Sequence, residues 1–365
     1  MKTILKPISK HVKQNNMKKS LCIALFTIAS ITGFAQNVLT VSNSPFGGAQ
    51  YSTLIDAYNA AANGDTLHVE GTNVSYFVNF FWAKSLTVIG IGFNADKQNT
   101  AKTYFSYANS QSGVFVFAAA SSGSQFHGIH FQQRVETRGA SNLLFANCFF
   151  GTKFNLSSLT TNGLTIRNSI FNSTSTCFDI NAGTTVVSGV SISNCVFNGY
   201  IGGVNNPNVT MNVDHCLFLG NLNIYQLRNA TISNSIFMNT FVHNSNSDCN
   251  FINNISRVAG TFPPAGSGNI ASNNIEATDP MLVNYNLGGF YSFTHDLNLQ
   301  AGSAAIGAGS DGTDIGVHGG TNMFFSETGE VLINPIIREV SILNPTVTPN
   351  GTLEVKIIAT KPNDN

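Results

Sequence analysis

A phrase of eight residues recurs between Leu143 and Phe237, and it restricts the fold more than any other feature of the chain. It reads Leu143-Leu144-Phe145-Ala146-Asn147-Cys148-Phe149-Phe150, then Leu164-Thr165-Ile166-Arg167-Asn168-Ser169-Ile170-Phe171, then Val190-Ser191-Ile192-Ser193-Asn194-Cys195-Val196-Phe197. Met211–Phe218 and Ala230–Phe237 repeat it, and a fading copy ends at Ser256. Apolar residues alternate with variable ones, then come Asn (once His), Cys or Ser, an apolar residue and Phe. The last positions lie 21, 26, 21, 19 and 19 residues apart. A period near twenty marks a solenoid, because one such unit cannot bury its apolar face without a stacked neighbour.

The alternation predicts a short strand with one buried face. Asn tolerates the left-handed backbone region, so it suits a sharp bend between strands. Three short strands and their turns fill about twenty residues, and each strand pairs with its copy one rung away, at about 4.8 Å. The Asn amides are expected to bond from rung to rung, and Phe150, Phe171, Phe197, Phe218 and Phe237 to form one internal stack. This pattern resembles the right-handed parallel β-helix of the pectin-lyase-like superfamily. The resemblance implies an all-β fold, while its members include lyases, hydrolases, adhesins and non-catalytic binders, so activity must be argued from the site.

Ahead of the coils, Lys18-Lys19, the apolar run Leu21–Phe34 and the small residues before Gln36 form a secretory signal peptide, with Met17 as an alternative start. It is too short for a spanning helix. Removal of residues 1–35 leaves twelve basic against eighteen acidic residues, a net charge near −6. Nucleic acid is then an unsuitable partner, since phosphate binding needs clustered Lys and Arg. The expected location is outside the cell or on its surface, as a monomer with no membrane span.

The pattern Leu54, Ala57, Ala60-Ala61-Ala62 predicts a short amphipathic helix capping the first coil, a shield that an exposed sheet edge needs. Thr66–Val69, Leu86–Phe93 and Gly113–Phe117 read as the first strands. The stretch from Ala277 to Gly320, with Asp296-Leu297-Asn298-Leu299 and Gly312-Thr313-Asp314-Ile315-Gly316, resembles the closing coil of secreted β-helix proteins of Bacteroides-related bacteria. The boundaries are therefore 1–35 signal peptide, 36–320 β-helix and 321–365 a C-terminal arm or cap. Alternation also turns Phe149, Ile170, Val196, Leu217, Ile236 and Ile255 outward as a continuous apolar stripe, and part of 331–358 is the expected cover.

The chemistry is sparse. Val213-Asp214-His215-Cys216 resembles a phrase of pectate lyases, but the chain lacks the companion acid cluster and an Arg-x-Pro-x-x-Arg. His215 reads as the ladder residue in place of Asn. Arg134, Glu136 and Arg138, beside His127 and His130, read as a surface turn. No cofactor is predicted; Asp311 and Asp314 offer carboxylates to calcium, although Asp-Gly turns need no metal. The shared slot of Cys148, Cys195 and Cys216, filled elsewhere by Ser169 and Ser235, argues for buried free thiols rather than ligands. The leading function is recognition of a polysaccharide or cell-surface glycan. Thr165, Ser191, Asn212 and Thr231 would line the strip, with Arg167 and Asp214 at its flank. The alternatives are a polysaccharide lyase or glycoside hydrolase, or a structural or adhesive surface protein.

Overall fold

A computed structural model describes residues 36–360, apart from 46–47, 95–101, 108–112, 158, 181–185, 204–205, 221–222, 240–244, 322–327, 330–335, 345 and 347–350. Residues 1–35, read as the signal peptide, lie outside the described residues. From Val38 the chain is an all-β, right-handed parallel β-helix. Three parallel sheets of twelve, nine and six strands form its walls. One coil runs Leu144–Ala146, Phe149–Phe150 and Phe154–Leu156; the next runs Thr165–Arg167, Ile170–Phe171 and Thr176–Ile180. Each strand pairs in register with its copy, as Leu144↔Thr165↔Ser191↔Asn212↔Thr231 shows.

The bend between the first two walls is where the sequence phrase acts. Asn147, Asn168, Asn194, His215, Asn234 and Asn253 all take φ between +48° and +55°. The next residue explains the Cys/Ser slot: its side chain donates to the carbonyl two residues back, closing the bend. Ser169 Oγ reaches Arg167 O at 2.7 Å and Ser235 Oγ reaches Ser233 O at 2.7 Å. The thiols of Cys148, Cys195 and Cys216 do the same at 3.1–3.3 Å. All five described cysteines are free and buried. A second left-handed bend lies two residues before the outward positions Leu144, Thr165, Ser191, Thr231 and Asn250, at Asn142, Gly163, Gly189, Asn229 and Asp248, but not before Asn212.

The Phe column is internal and stacked. Phe131, Phe150, Phe171, Phe197, Phe218 and Phe237 are at most 1% exposed. Consecutive ring centroids from Phe150 to Phe237 are 4.5–5.0 Å apart, with interplanar angles of 7–21°. The predicted cap is the helix Leu54–Ala60, its N-terminus held by Thr53 Oγ1 accepting from Asp56 N at 3.2 Å. Lys84 Nζ donates to the carbonyls of Tyr58, Asn59 and Ala61, placing a cation at the helix C-terminus, where the dipole favours it.

Three expectations are corrected. Residues from Thr278 to Gly320 do not make a closing coil. They turn back along the side of the solenoid, and the antiparallel pair Leu282–Asn284 with Asp296–Leu299 lies within this strap. The apolar stripe exists, but the strap is what covers it. Phe149, Ile170, Val196, Leu217, Ile236 and Ile255 pack with Leu282, Tyr291, Leu297, Ala305, Ile315 and Val317. The segment expected to cover it is elsewhere engaged: Ile336–Ile342 and Val355–Thr360 form an antiparallel hairpin, with Ile342, Leu343, Val355 and Ile357 exposed. Val331, Leu332 and Ile333 lie outside the described residues. Finally, the ladder amides of Asn194, Asn234 and Asn253 turn to the strap instead of stacking. Asn194 donates to Val317 O and Gly319 O, Asn253 to Ala308 O, and Asn234 Oδ1 accepts from Ser310 N.

Candidate functional site

The outward face of the twelve-stranded sheet carries two columns of polar side chains. In the first, Thr165, Ser191, Asn212 and Thr231 follow one another rung by rung, and Asn250 continues the line. In the second, Arg167, Ser193, Asp214 and Ser233 do the same. The inward neighbours Ile166, Ile192, Val213 and Ile232 are fully buried, so alternation fixes the direction of both columns. All six residues expected at the strip, Thr165, Arg167, Ser191, Asn212, Asp214 and Thr231, lie here half-buried or exposed. Arg167 and Asp214 are two rungs apart, with Ser193 between them.

The strap borders the second column and packs against the rung where His replaces Asn. The His215 ring is 1% exposed, and its Nε2 lies 3.3 Å from Asp311 Oδ2 and 3.8 Å from Asp214 Oδ2. Three strap glycines surround the ring. A Cβ on Gly319 would meet His215 Nδ1 at 2.6 Å, one on Gly320 would meet Cδ2 at 2.8 Å, and one on Gly309 would lie 3.5 Å from Cε1. Gly320 has the imidazole as its nearest neighbour, while Gly319 and Gly309 are held more tightly still against the strap's own Asp314 and Thr313 carbonyls. Asp214 Oδ1 accepts from Ser233 Oγ at 2.7 Å and Asn234 Nδ2 at 2.9 Å. Asp311 Oδ1 accepts from Thr313 N and Oγ1 at 3.0 and 2.7 Å. Slight burial raises the Asp311 carboxyl, but Thr313 and the neighbouring His215 outweigh it and hold it below the usual carboxylate range.

Two charged features differ from their sequence reading. Arg134, Glu136 and Arg138 occupy a strand of the six-stranded sheet, not a turn, and the nearly buried Glu136 pairs with both arginines at 3.1 and 2.6 Å. Arg138 also sits over the exposed Phe81 ring at 5.6 Å, so the arginines lie on the outer surface of this wall. His130 belongs to the apolar column, against Tyr104 and Phe149, and burial with Lys102 nearby pushes it down to about 3. His127 faces outward in the second column; burial, then Arg167 two rungs on, lowers it to about 4.

At the capped end, the second column begins with Thr40, His68 and Ile89. These line a groove of about 280 Å³, together with Glu70, Gly90 and Ile91. No cluster of three or more His, Cys, Asp or Glu placed to hold a metal occurs among the described residues. No helix among them is long and apolar enough to cross a membrane.

Sequence reasoning missed the strap, the groove and the partnership of Asp214 with Asp311, which lie 97 residues apart in the chain. The single His in an Asn column was the available signal for the last of these. No family model and no curated protein matches the chain, so its functional reading rests on this face alone.

Proposed function

We propose that the protein is exported by its N-terminal segment and recognises a polysaccharide or cell-surface glycan along the two polar columns, as a binder within the pectin-lyase-like superfamily. The observation that supports this is the register of the columns. Thr165, Ser191, Asn212, Thr231 and Asn250 present hydroxyls and amides on five successive rungs. That row spans about 19 Å at the usual rung spacing. A repeating row of donors and acceptors suits a repeating ligand rich in hydroxyls, and Arg167 and Asp214 add charge-assisted bonds at its flank. The strap gives the strip one raised edge.

The Asp214–Asp311 pair is the observation that favours a hydrolase as the second reading. Both lie within ion-pair range of one His215 nitrogen, so their oxygens are at most about 7 Å apart, a spacing that does not exceed the carboxylate separations used in glycoside hydrolysis. Such chemistry also needs a carboxyl held protonated to serve the leaving group. Asp311 is held in the opposite direction, and the fully packed His215 cannot reach a substrate. Binding is therefore the better reading.

A glycan panel tests it, with reducing-end release and ultraviolet absorbance of unsaturated products followed in parallel. Binding without turnover, weakened by Arg167→Ala and Asp214→Ala, supports the proposal. Product formation abolished by Asp214→Asn or Asp311→Asn would replace it with the hydrolase. Binding that ignores Arg167→Ala and Asp214→Ala would move the site to another face.

A further inference from the structure

The groove at the capped end carries a sharper statement about the ligand, and it rests on the glycan reading. Its walls follow from local sequence. Thr40 and Gln50 bond reciprocally, Thr40 N to Gln50 Oε1 at 3.1 Å and Gln50 N to Thr40 Oγ1 at 3.0 Å. Tyr51 N reaches Thr40 O at 3.1 Å, so the loop is tied down beside the first strand. On the far side, Gly90 can bear no side chain, because a Cβ there would meet Gly128 O at 2.5 Å and Thr103 Cβ at 2.6 Å. Gly90 thus packs against Gly128 and Thr103 and lines the groove with backbone beside Ile89 and Ile91.

Two functional groups line this space. His68 lies beside Thr40 on the outward face of the strand Thr66–Val69, and Glu70 follows directly after the strand. Among the described residues neither side chain makes a hydrogen bond or an ion pair. Glu70 is exposed and His68 half-buried. Burial pushes His68 below its ordinary value, so the imidazole is neutral near pH 7. Among the described residues the lining contains no Lys or Arg, and the carboxylate of Glu70 is the only full charge among them. Beside it, the Ile89 and Ile91 side chains offer an apolar surface for the C–H face of a ring.

We infer that this groove is a subsite for one terminal sugar ring bearing a free amine, with the ammonium paired to Glu70 and ring hydroxyls on His68 and Thr40. A uronate or sulfated ring would place an anion against an unpaired carboxylate and is disfavoured at this end. The rest of the glycan would then run down the polar columns towards Thr165 and Asn250. The strand register carries the second column from Ile89 through the buried His127 and Ala146 to Arg167.

Calorimetric titration of the mature protein with glucosamine oligomers, their N-acetylated counterparts and oligogalacturonate tests the assignment. The expected order is glucosamine oligomer tightest and oligogalacturonate weakest. Glu70→Gln should weaken the glucosamine oligomer by about tenfold or more and leave the N-acetylated oligomer within about twofold. His68→Ala should weaken both. Glucosamine-oligomer affinity unchanged in Glu70→Gln, while Arg167→Ala weakens it, would overturn the groove and leave the strip standing. No binding of any oligomer to the wild type would overturn both. Circular dichroism of each variant confirms that the fold is retained, since His68 and Glu70 support no neighbour.

Discussion

Gly320 is the most direct probe of the seam between strap and solenoid. Its φ of +80° lies in the left-handed region, and the three nearest atoms its Cβ would meet belong to the His215 ring, at 2.8, 3.2 and 3.4 Å. Gly320→Ala therefore costs two separable amounts. The backbone conformation alone costs about 1–2 kcal/mol for a residue with a Cβ. The contact at 2.8 Å is closer than packed carbon atoms approach, and overpacking of this kind costs about 1–3 kcal/mol. His215→Asn isolates the second amount, because Asn is the residue that the other rungs place at φ near +50° and it is smaller than imidazole. In that background Gly320→Ala should cost only the backbone amount. The double-mutant cycle should thus give a coupling of about 1–3 kcal/mol. Thermal melts report it, at roughly 2–4 °C per kcal/mol for a domain of this size. Hydrogen exchange should show faster exchange at the Gly309 and Gly319 amides in Gly320→Ala, since these strap bonds open first. An equal cost of Gly320→Ala in both backgrounds would refute the claim that Gly320 packs against the His215 ring.

Further outcomes follow from the core and its titratable groups. Phe197→Ala, in the middle of the stack, should destabilise by about 3–5 kcal/mol in denaturant titration, with no change in mass by light scattering. Burial pushes the Cys148 and Cys177 thiols up to about 12 and raises Cys216 as well. A thiol reagent at pH 8 should therefore leave these residues unlabelled in the native protein and label them in denaturant. His127 and His130 are depressed to about 4 and about 3, so the unfolded chain takes up protons there that the folded chain refuses. Their contribution is fully present above pH 6.5 and is lost as pH falls through 6.5 towards 4. The loss should be roughly 1.4 kcal/mol for each pH unit below 6.5 and each histidine, so about 4 kcal/mol by pH 5. His130→Phe should flatten this slope in pH-dependent melts.

The sequence by itself determined the coil. A bend that needs positive φ, a small donor after it and a ring inside recur as Asn-Cys/Ser-x-Phe, so the walls, the register and the Phe stack were all legible. The outward columns of Thr165, Ser191, Asn212 and Thr231 were legible for the same reason, since in-register stacking multiplies any period-two pattern into a surface. What covered the apolar column Phe149–Ile255 was not, because two segments were apolar enough to do it and periodicity says nothing of non-repeating chain. The tertiary structure chose 278–320, whose Gly320 packs against His215 and whose carbonyls accept from Asn194 and Asn253. The ladder amides that appeared to serve neighbouring rungs were needed for the strap's unpaired backbone instead. The groove at Thr40, His68 and Glu70 likewise exists only once a loop is tied beside the first rung. Repetition encodes the local pairing, while contacts between segments far apart in the chain depend on shape and on which polar groups remain unsatisfied, and only the folded molecule decides those.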